Sequence, residues 1–310
     1  MTVLALTTDT DSVADRVIAE LALRGVPVVR LDQADIPLRV WLDGRISTGR
    51  PWGGRLFGVN GTLVDLADVR AVWHRHTKQF VVDEDMSGPE KAFAYGEARR
   101  GYGGILAALS GCLWVNDPMA AARAEYKPVQ LAAATAAGLR IPQTLITSDP
   151  RTAYDWARQL GRPTIYKPLD GVWHADEGQV RVIYTSPVTD LDELLDPALG
   201  KTAHLFQEQI PKAFEARVTV VGSQVFAVRI DAGSPAARED WRSDYDALAY
   251  SQIELPPDVA AGLLGLHQRL GLVYGAADLI CDQAGNWIFL EFTDRPAARP
   301  VRPASLPYAA

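Results

Sequence analysis

Cysteine is scarce in this sequence, which has only Cys112 and Cys281 among its 310 residues. Two cysteines cannot form a disulfide framework or a cysteine-rich zinc site, and both lie in apolar runs, as expected in a reducing compartment. Long apolar runs are also lacking, because no segment reaches the roughly 18 consecutive apolar residues of a membrane-spanning helix. The first residues carry no basic segment like the one that opens a signal peptide. We therefore expect a cytoplasmic protein.

Positive charge is in deficit. The 31 Lys and Arg residues are outnumbered by 38 Asp and Glu residues, and the formal net charge is −7. This balance argues against a nucleic-acid binder that acts through bulk positive charge. Lysine is especially rare, since only six of the basic residues are lysines. Each lysine therefore raises the question of whether a compact, flexible ammonium group is needed. Two of the six, Lys127 and Lys167, are each followed by proline.

The overall composition is that of an ordinary globular protein, with 48 % apolar and 22 % charged residues. Strand and helix patterns alternate in the N-terminal third and predict an α/β domain. Residues 3–6 and 28–31 are short apolar strands, and residues 12–24 between them have helical periodicity. Asn60-Gly61 predicts a hairpin, because this dipeptide suits the positive φ of a tight turn.

Two segments with α+β patterns follow, so the chain as a whole mixes α/β and α+β structure. The first contains a helix over residues 125–137 and a flexible hairpin over residues 171–185. The second consists mostly of strands in two hairpins, over residues 217–230 and 273–292. The predicted division is a domain at 1–115, subdomains at 116–203 and 204–293, and an irregular tail rich in Pro, Arg and Ala at 294–310.

Two carboxylates face each other in the last predicted hairpin. If Ala284-Gly285 is the centre of the turn, Asp278 and Glu291 lie directly opposite, and with a four-residue loop they are diagonal neighbours on one face. Like charges so placed destabilise a sheet. A divalent cation would compensate, and Mg²⁺ typically takes one or two carboxylates together with substrate phosphates. The alternative is that Glu291 faces solvent and Asp278 caps a turn.

Lys127 and Lys167 lie at the ends of predicted elements. Lys127 is in the first turn of a helix, and Lys167 ends an apolar strand beside a flexible loop. An ammonium group at such a place can bind phosphate, and a surface lysine is the alternative. Downstream, the strand that contains Glu208 leads into a linker before Glu215. Backbone groups of such a linker can contact the edge of an adenine, while a carboxylate binds ribose hydroxyls.

The order of these residues along the chain carries a family resemblance. In this order the chain resembles the ATP-grasp superfamily, in detail over residues 116–293 and in pattern over residues 1–115. Within it, the chain looks most like the maturases of ribosomally made, macrocyclised peptides (RiPP biosynthesis), the graspetide synthetases, in their actinobacterial branch. The motifs that carry this narrower resemblance are Val72-Trp-His-Arg-His, Trp114-Val-Asn-Asp-Pro, Lys127-Pro, Tyr166-Lys-Pro-Leu, Val182-Ile-Tyr-Thr-Ser-Pro-Val, Gln207-Glu-Gln-Ile-Pro-Lys, Arg217-Val-Thr-Val-Val-Gly, Phe226-Ala-Val-Arg-Ile and Gly275-Ala-Ala-Asp.

The resemblance implies the ATP-grasp fold, in which two α+β subdomains hold ATP between them behind an N-terminal α/β pre-ATP-grasp domain. It also implies an ADP-forming ligase with ATP and Mg²⁺ as cofactors. Such an enzyme phosphorylates an Asp or Glu side chain of a precursor peptide. A Ser or Thr hydroxyl or a Lys amine then attacks the acyl phosphate and closes an ester or amide ring. The protein's task in such chemistry is positioning and charge neutralisation.

The resemblance further assigns roles to residues of this chain. The nucleotide, metal and catalytic assignments are Lys127 and Lys167 at the α- and β-phosphates, Gln207, Glu208 and the backbone of Ile210 at the adenine, Glu215 at the ribose, Asp278 and Glu291 at Mg²⁺, and Arg217 and Arg229 at the γ-phosphate or acyl phosphate. For the two arginines the alternative is a salt bridge with Glu215 or Asp231.

The expected partner is a ribosomal precursor peptide with a leader and an acidic core, and neither nucleic acid nor a membrane. Residues 171–185 form a flap that contacts the leader, and Tyr184 is assigned to the peptide with it. Arg75, at the end of a strand in the first domain, is assigned to the acidic core, and the alternative is that Trp73 and the histidines beside it are packing and rim residues. A homodimer is compatible with the resemblance.

The end of the chain departs from the family pattern. The family normally has Asn two residues after the metal-binding Glu, whereas this chain has Thr293, and a hydroxyl is a poorer metal ligand than an amide oxygen. A Pro-, Arg- and Ala-rich run then replaces the expected glycines and aromatic residues. Three hypotheses therefore stand: an active peptide macrocyclase, an ATP-grasp ligase that adds amino acids to a peptide or small acid, and a weakened homologue that still binds nucleotide and peptide.

Overall fold

The structure is a computed structural model and describes residues 1–59, 61–109, 111–170, 173–176 and 179–293. The chain divides into two compact units. The first unit holds Met1–Ala121 and Gly271–Val273, and the second holds Ala122–Leu270 and the residues from Tyr274 onward. The first unit thus extends past the boundary predicted at residue 115. None of the helices within the described ranges is long and apolar enough to cross a membrane.

The first unit contains the predicted α/β arrangement. Four parallel strands form a sheet in the order β2–β1–β6–β7. An antiparallel meander in the order β3–β4–β5 comes between β2 and β6 in the chain. The elements are β1 (Thr2–Leu6), α1 (Ser12–Leu23), β2 (Val28–Leu31), β3 (Val40–Ser47), β4 (Arg50–Gly58), β5 (Gly61–Asp65), β6 (Val69–His74), α2 (Gly88–Ala107), β7 (Leu113–Val115) and α3 (Pro118–Ala124), which ends in the second unit.

Local sequence signals explain where the helices of this unit begin. The Asp11 carboxylate accepts hydrogen bonds from the N–H groups of Val13 and Ala14 at the start of α1. Ser87 and Glu90 form a capping box at the start of α2. The hairpin predicted at Asn60-Gly61 is present as β4 and β5. The structure adds β3, which the sequence analysis missed.

The second unit contains two antiparallel sheets and a separate hairpin. The smaller sheet has the order β12–β9–β13–β8, and the larger has the order β16–β15–β14–β17–β18. The elements are α4 (Lys127–Ala136), β8 (Thr144–Thr147), α5 (Pro150–Leu160), β9 (Thr164–Lys167), β10 (Trp173–Asp176), β11 (Gln179–Val182), β12 (Ser186–Val188), β13 (His204–Glu208), β14 (Lys212–Val221), β15 (Gln224–Ala232), α6 (Pro235–Glu239), β16 (Leu248–Ile253), α7 (Pro257–Leu270), β17 (Tyr274–Asp282) and β18 (Trp287–Thr293).

Two predicted boundaries in this unit differ from the structure. β13 pairs with β8 and β9, so the smaller sheet continues across the division predicted at residue 203. The helix predicted over residues 125–137 is two helices, because α3 ends before α4 begins at Lys127 with Pro128 in its first turn. The predicted stop of α4 is confirmed, since Gly138 follows it with φ +82°.

The larger sheet depends on a close contact at Gly275. A Cβ atom at this position of β17 would lie 1.9 Å from the tip of the Phe292 ring on β18. Phe292 is itself buried, and its ring lies edge-on to His267 of α7 at a centroid distance of 5.8 Å. The ring therefore has no room to move away, and the position requires glycine.

We expect Gly275→Ala to lower the free energy of unfolding by about 2 kcal/mol, because overpacking a full core forces side chains and backbone to shift. Urea unfolding of the whole chain measures this change. Gly265→Ala on α7 is the matched control, since its Cβ would make an ordinary 3.5 Å contact with Ala137, the residue that follows α4. Equal stability of the two variants would contradict the packing account.

Candidate functional site

A cavity of about 710 Å³ lies in the second unit and is lined by both of its sheets. The smaller sheet contributes Ile165, Lys167 and Gln207, and the larger sheet contributes residues of β14, β17 and β18. The segment that joins β13 to β14 lines a further part of it. This volume falls in the range of pockets that hold small-molecule ligands and cofactors.

Asp278 and Glu291 lie directly opposite each other across β17 and β18. Cys281 pairs with Trp287 and Leu279 pairs with Phe289, and this register would place Leu290 opposite Asp278. A β-bulge between Asp278 and Leu279 shifts the pairing by one residue. The sequence-based prediction that the two carboxylates can lie directly opposite each other is therefore confirmed. The β-bulge, and not the position of the turn alone, produces this pairing.

Glu291 is surrounded by three cationic side chains. Its Oε1 accepts a hydrogen bond from Nη1 of Arg242 at 2.7 Å, and its Oε2 lies 3.8 Å from Nζ of Lys127 and 4.0 Å from Nζ of Lys167. Burial opposes ionisation, but Lys167, Arg242 and Lys127 together outweigh it and hold the pKa of Glu291 well below its usual range. Because Asp240 also pairs with Arg242, three cations face two carboxylates, and one positive charge remains in excess where the sequence predicted phosphate binding.

The two lysines reach this place from different elements. Lys167 is the last residue of β9 and is buried. Lys127 is the first residue of α4, and its Nζ also donates to the carbonyl oxygen of Leu169 at 3.1 Å. Burial lowers the pKa of Lys127, with Lys167 and Arg242 acting in the same direction and Glu291 opposing them. The structure thus brings together the two Lys-Pro sites that lie 40 residues apart in the chain.

Arg217 completes a charged row with Asp278. The two residues are paired across β14 and β17, and Nη1 of Arg217 donates to Oδ1 of Asp278 at 2.7 Å. Both side chains are buried. This row places Arg217 beside the predicted metal ligands, as its assignment to the transferred phosphate requires.

Arg242 belongs to the site, although the sequence analysis did not single it out. Asp240 orients it through two hydrogen bonds of 2.9 and 3.1 Å, and Trp241 between them is buried. Burial raises the pKa of Asp240, but the Arg242 guanidinium outweighs this effect and lowers it overall. The only signal in the sequence was an Asp-Trp-Arg triplet outside every predicted element.

The donor set fits a magnesium ion that is shared with phosphates. Asp278 and Glu291 present two carboxylates in one row, as oxygen ligands that Mg²⁺ prefers. Among the described residues, no group of three or more His, Cys, Asp and Glu side chains could hold a metal ion. Two carboxylates are too few for a complete protein cage, so phosphate oxygens and water would have to complete the coordination. Thr293 pairs with Ala276, on the same face of β18 as Glu291.

The residues predicted to contact the adenine line the part of the cavity formed by β13 and the segment that joins it to β14. Gln207, Glu208 and Ile210 all line it. Nε2 of Gln207 donates to Oγ1 of Thr144 at 2.9 Å. The Glu208 side chain forms an ion pair with Arg162, so Glu208 borders the cavity with its carboxylate already paired. The role of Ile210 through its backbone stays a prediction.

Glu215 also lines the cavity, two residues before Arg217 on the same face of β14. It is buried, and it forms an ion pair with Lys212 three residues earlier. Burial raises the pKa of Glu215 to about 7, while Lys212 acts in the opposite direction and Asp278 and Asp240 add to the rise. A carboxyl group that titrates near neutrality therefore stands where the sequence predicted a ribose contact.

Arg229 does not join the site. Ala216 pairs with Arg229 and Arg217 pairs with Val228, so the two arginines point to opposite faces of the larger sheet. Arg229 forms a bidentate pair with Asp231 at 2.6 and 2.8 Å. Its assignment to the transferred phosphate is therefore wrong, and the salt bridge with Asp231 is what the structure contains.

Arg75 is also engaged elsewhere. In the first unit its Nε and Nη2 donate to the Asp11 carboxylate at 2.6 and 3.3 Å, and its guanidinium lies 5.9 Å from the centre of the Trp73 ring. Burial opposes ionisation of Asp11, but Arg75 and the N–H of Ala14 outweigh it and lower its pKa. These contacts support the packing alternative and give no support to binding of an acidic peptide.

The flap prediction is met in part. β10 and β11 pair in antiparallel register from Trp173 and Val182 to Asp176 and Gln179. The predicted hairpin is thus present, whereas its tip at residues 177–178 and residues 171–172 lie outside the described residues, as does the tail from residue 294. Tyr184 follows the hairpin and is 40 % exposed, and its contact with a peptide stays a prediction.

Comparison with known proteins agrees with this fold. The family model of the MvdD pre-ATP-grasp domain matches residues 2–123. The macrocyclase MdnC of Microcystis aeruginosa, solved with the precursor peptide MdnA, is 29 % identical, with a TM-score of 0.79 over 95 % of this chain and 91 % of that chain. A RiPP-associated ATP-grasp ligase of Chryseobacterium gregarium, solved with ADP and a leader and core peptide, is 27 % identical, with a TM-score of 0.86 over 94 % and 89 %.

A curated relative adds a more distant match. The glutamate–LysW ligase ArgX of Sulfolobus acidocaldarius is 26 % identical over 162 residues, which are 51 % of this chain and 56 % of that protein. The chain thus matches little more than half the length of that relative. The chain therefore has the ATP-grasp fold with an N-terminal pre-ATP-grasp domain, and it is similar to ATP-grasp ligases. Within that superfamily it resembles the maturases of ribosomal peptides, as the sequence motifs predicted, while the actinobacterial branch stays a prediction.

Proposed function

We propose that this protein is an ATP-dependent ligase that phosphorylates Asp or Glu side chains of a ribosomal precursor peptide and closes ester or amide macrocycles. The observation that carries the proposal is the cluster of Lys127, Lys167 and Arg242 around Glu291, next to Asp278. Such a cluster suits a polyanion with a bound cation. The similarity to MdnC and to the Chryseobacterium ligase supports a peptide as the second substrate.

The nucleotide lies along the cavity from Gln207 to Lys167. Ile210 and its neighbours hold the base, Glu215 binds the ribose, and the two lysines hold the α- and β-phosphates. When ATP enters, its phosphates replace Glu291 as the partner of the lysines. Glu291 and Asp278 would then hold Mg²⁺, which neutralises charge on the phosphates.

The chemistry proceeds in two displacements. A carboxylate oxygen of the peptide forms a bond to the γ-phosphorus while the bond from that phosphorus to the β,γ-bridging oxygen breaks, and ADP leaves. A Ser or Thr hydroxyl or a Lys amine then attacks the acyl carbon, which releases inorganic phosphate and the proton of the attacking group. Arg217, which contacts Asp278, and Arg242, which contacts Glu291, stabilise the negative charge of the transferred phosphate.

The ribose contact predicts a pH dependence. Between pH 6 and pH 8 the Glu215 carboxyl passes from mostly protonated to mostly ionised, because its pKa is raised from 4.5 to about 7. Only the ionised form accepts hydrogen bonds from both ribose hydroxyls with both of its oxygens. We therefore expect the affinity for MgATP, measured by calorimetry, to rise up to about tenfold over this range beyond the change seen in Glu215→Gln. Equal pH profiles of the two proteins would remove the ribose assignment.

An assay of ADP release tests the proposed function. The reading frames beside this gene are searched for a short peptide that is rich in Thr, Ser, Asp and Glu near its end, and that peptide is supplied with ATP and Mg²⁺ as the probe. We expect ADP release that depends on this peptide. ATP binding without peptide-dependent ADP release would instead identify the weakened homologue and overturn the enzymatic proposal.

A further inference from the structure

The face of the larger sheet that carries the charged row continues to two exposed apolar side chains. Val221 on β14 is 42 % exposed and Phe226 on β15 is 55 % exposed. Thr219 pairs with Phe226 and Val221 pairs with Gln224, so the two apolar side chains are diagonal neighbours on the face of Arg217. Nothing in the proposed nucleotide site uses this pair, although Phe226 belongs to one of the motifs of the sequence.

Cross-strand register orders this face into successive rows. Each row is two residues further along the strands, a step of about 7 Å. From the cavity outward the rows are Ile280–Glu215–Ile230, then Glu291–Asp278–Arg217–Val228, then Thr293–Ala276–Thr219–Phe226. The first row borders the ribose position and the second holds the charges. The third row has small side chains at its centre and the exposed phenyl ring of Phe226 at its end.

The geometry of phosphoryl transfer gives the third row a role. The attacking and leaving oxygens lie roughly in line on opposite sides of the phosphorus. Because the nucleoside lies on the side of the first row, the attacking carboxylate must approach from the side of the third. Ala276 is buried, Thr219 is half-buried and Phe226 is exposed, so the accessible surface of this row lies toward Phe226.

We propose that the third row is the binding subsite for the peptide segment that carries the reactive carboxylate, with Phe226 and Val221 contacting an apolar side chain of that segment. This inference rests on the proposed function. Phe226 lies one row further along the strands than Asp278 and two strands across the sheet, steps of about 7 Å and about 10 Å that place the two positions about 12 Å apart. An extended peptide spans this distance in about four residues, and side chains four positions apart point to the same side. The substrate is therefore an acidic residue with an apolar residue four positions away, the acid over the charged row and the apolar side chain over Phe226.

Phe226→Ala tests the subsite in the full-length protein. The substrate is the peptide encoded beside this gene, whose reactive acid is located by fragment mass spectrometry of the product. We expect the KM for this peptide to rise about tenfold, as for loss of one apolar anchor, with kcat, the KM for ATP and the melting temperature unchanged. Leu195→Ala, which removes a similarly accessible apolar side chain (38 % exposed) from the segment that packs on α5, is the control and should leave all four values unchanged.

A second peptide separates direct contact from an indirect effect. When serine replaces the apolar residue four positions from the reactive acid, the wild-type KM should rise about tenfold and Phe226→Ala should raise it no further. An unchanged KM in Phe226→Ala, additive effects of the two changes, or a reactive acid without an apolar residue four positions away overturns the subsite. Absence of peptide-dependent ADP release by the wild-type protein overturns the proposed function itself, and the subsite with it.

Discussion

Replacing Lys167 with alanine is expected to weaken ATP binding by about 100-fold, because the phosphate loses the buried ammonium group that binds it and its negative charge is left uncompensated. Lys167 is buried at the end of β9, and its Nζ lies 4.0 Å from Glu291. The variant should fold, since Lys127 and Arg242 still compensate the Glu291 charge. Calorimetric titration with ATP measures the effect.

Lys201→Ala is the matched control for this prediction. Lys201 is exposed and lies in the short segment before β13. Lys201→Ala removes the same positive charge from the same unit as Lys167→Ala does. General electrostatic attraction of ATP to the protein would therefore weaken equally in both variants. We expect a loss confined to Lys167→Ala, and equal affinities of the two variants would remove the assignment of Lys167 to the phosphates.

Asp278→Asn is expected to reduce Mg²⁺-dependent ADP release by about 100-fold or more, while ATP binding without Mg²⁺ stays unchanged. The amide keeps an oxygen that can accept the 2.7 Å hydrogen bond from Arg217, but it removes the negative charge that the metal needs. Alanine is the poorer choice here, because it would leave the buried Arg217 without its partner and cost about 3–5 kcal/mol of stability.

Asp155→Asn is the control for the metal assignment. Asp155 also pairs with an arginine, Arg151, but on α5 and in an exposed position. We expect normal activity and normal Mg²⁺ dependence in this variant. Retained Mg²⁺-dependent activity in Asp278→Asn would mean that the metal is held elsewhere.

The sequence was sufficient for four residues of the phosphate and metal region, because each of the four carried a local signal. Lys127 and Lys167 stood out as rare lysines before proline, and Asp278 and Glu291 stood out as like charges in one hairpin. Their convergence was predicted through the family order of these residues. The bulge between Asp278 and Leu279 could not be predicted, since no local signal shows which strand takes the extra residue.

Arg229 shows how a one-residue difference changes the outcome. Val221 pairs with Gln224, so the turn between β14 and β15 has two residues, Gly222 and Ser223. A three-residue loop would instead pair Arg217 with Arg229, because a shift of one residue in the register moves a side chain to the other face of a sheet. Arg242 was missed for a different reason: its partner Glu291 lies 49 positions further along the chain, and only the tertiary structure brings them together.

Mass spectrometry of the peptide product tests the central claim most directly. The wild-type protein is incubated with ATP, Mg²⁺ and the acidic peptide encoded beside its gene, and the mass of the peptide is compared before and after. Ring closure predicts the loss of one water for each ADP released, without any added residue. An unchanged peptide mass despite ATP binding, or a gain equal to an added amino acid, would contradict the account of a peptide macrocyclase.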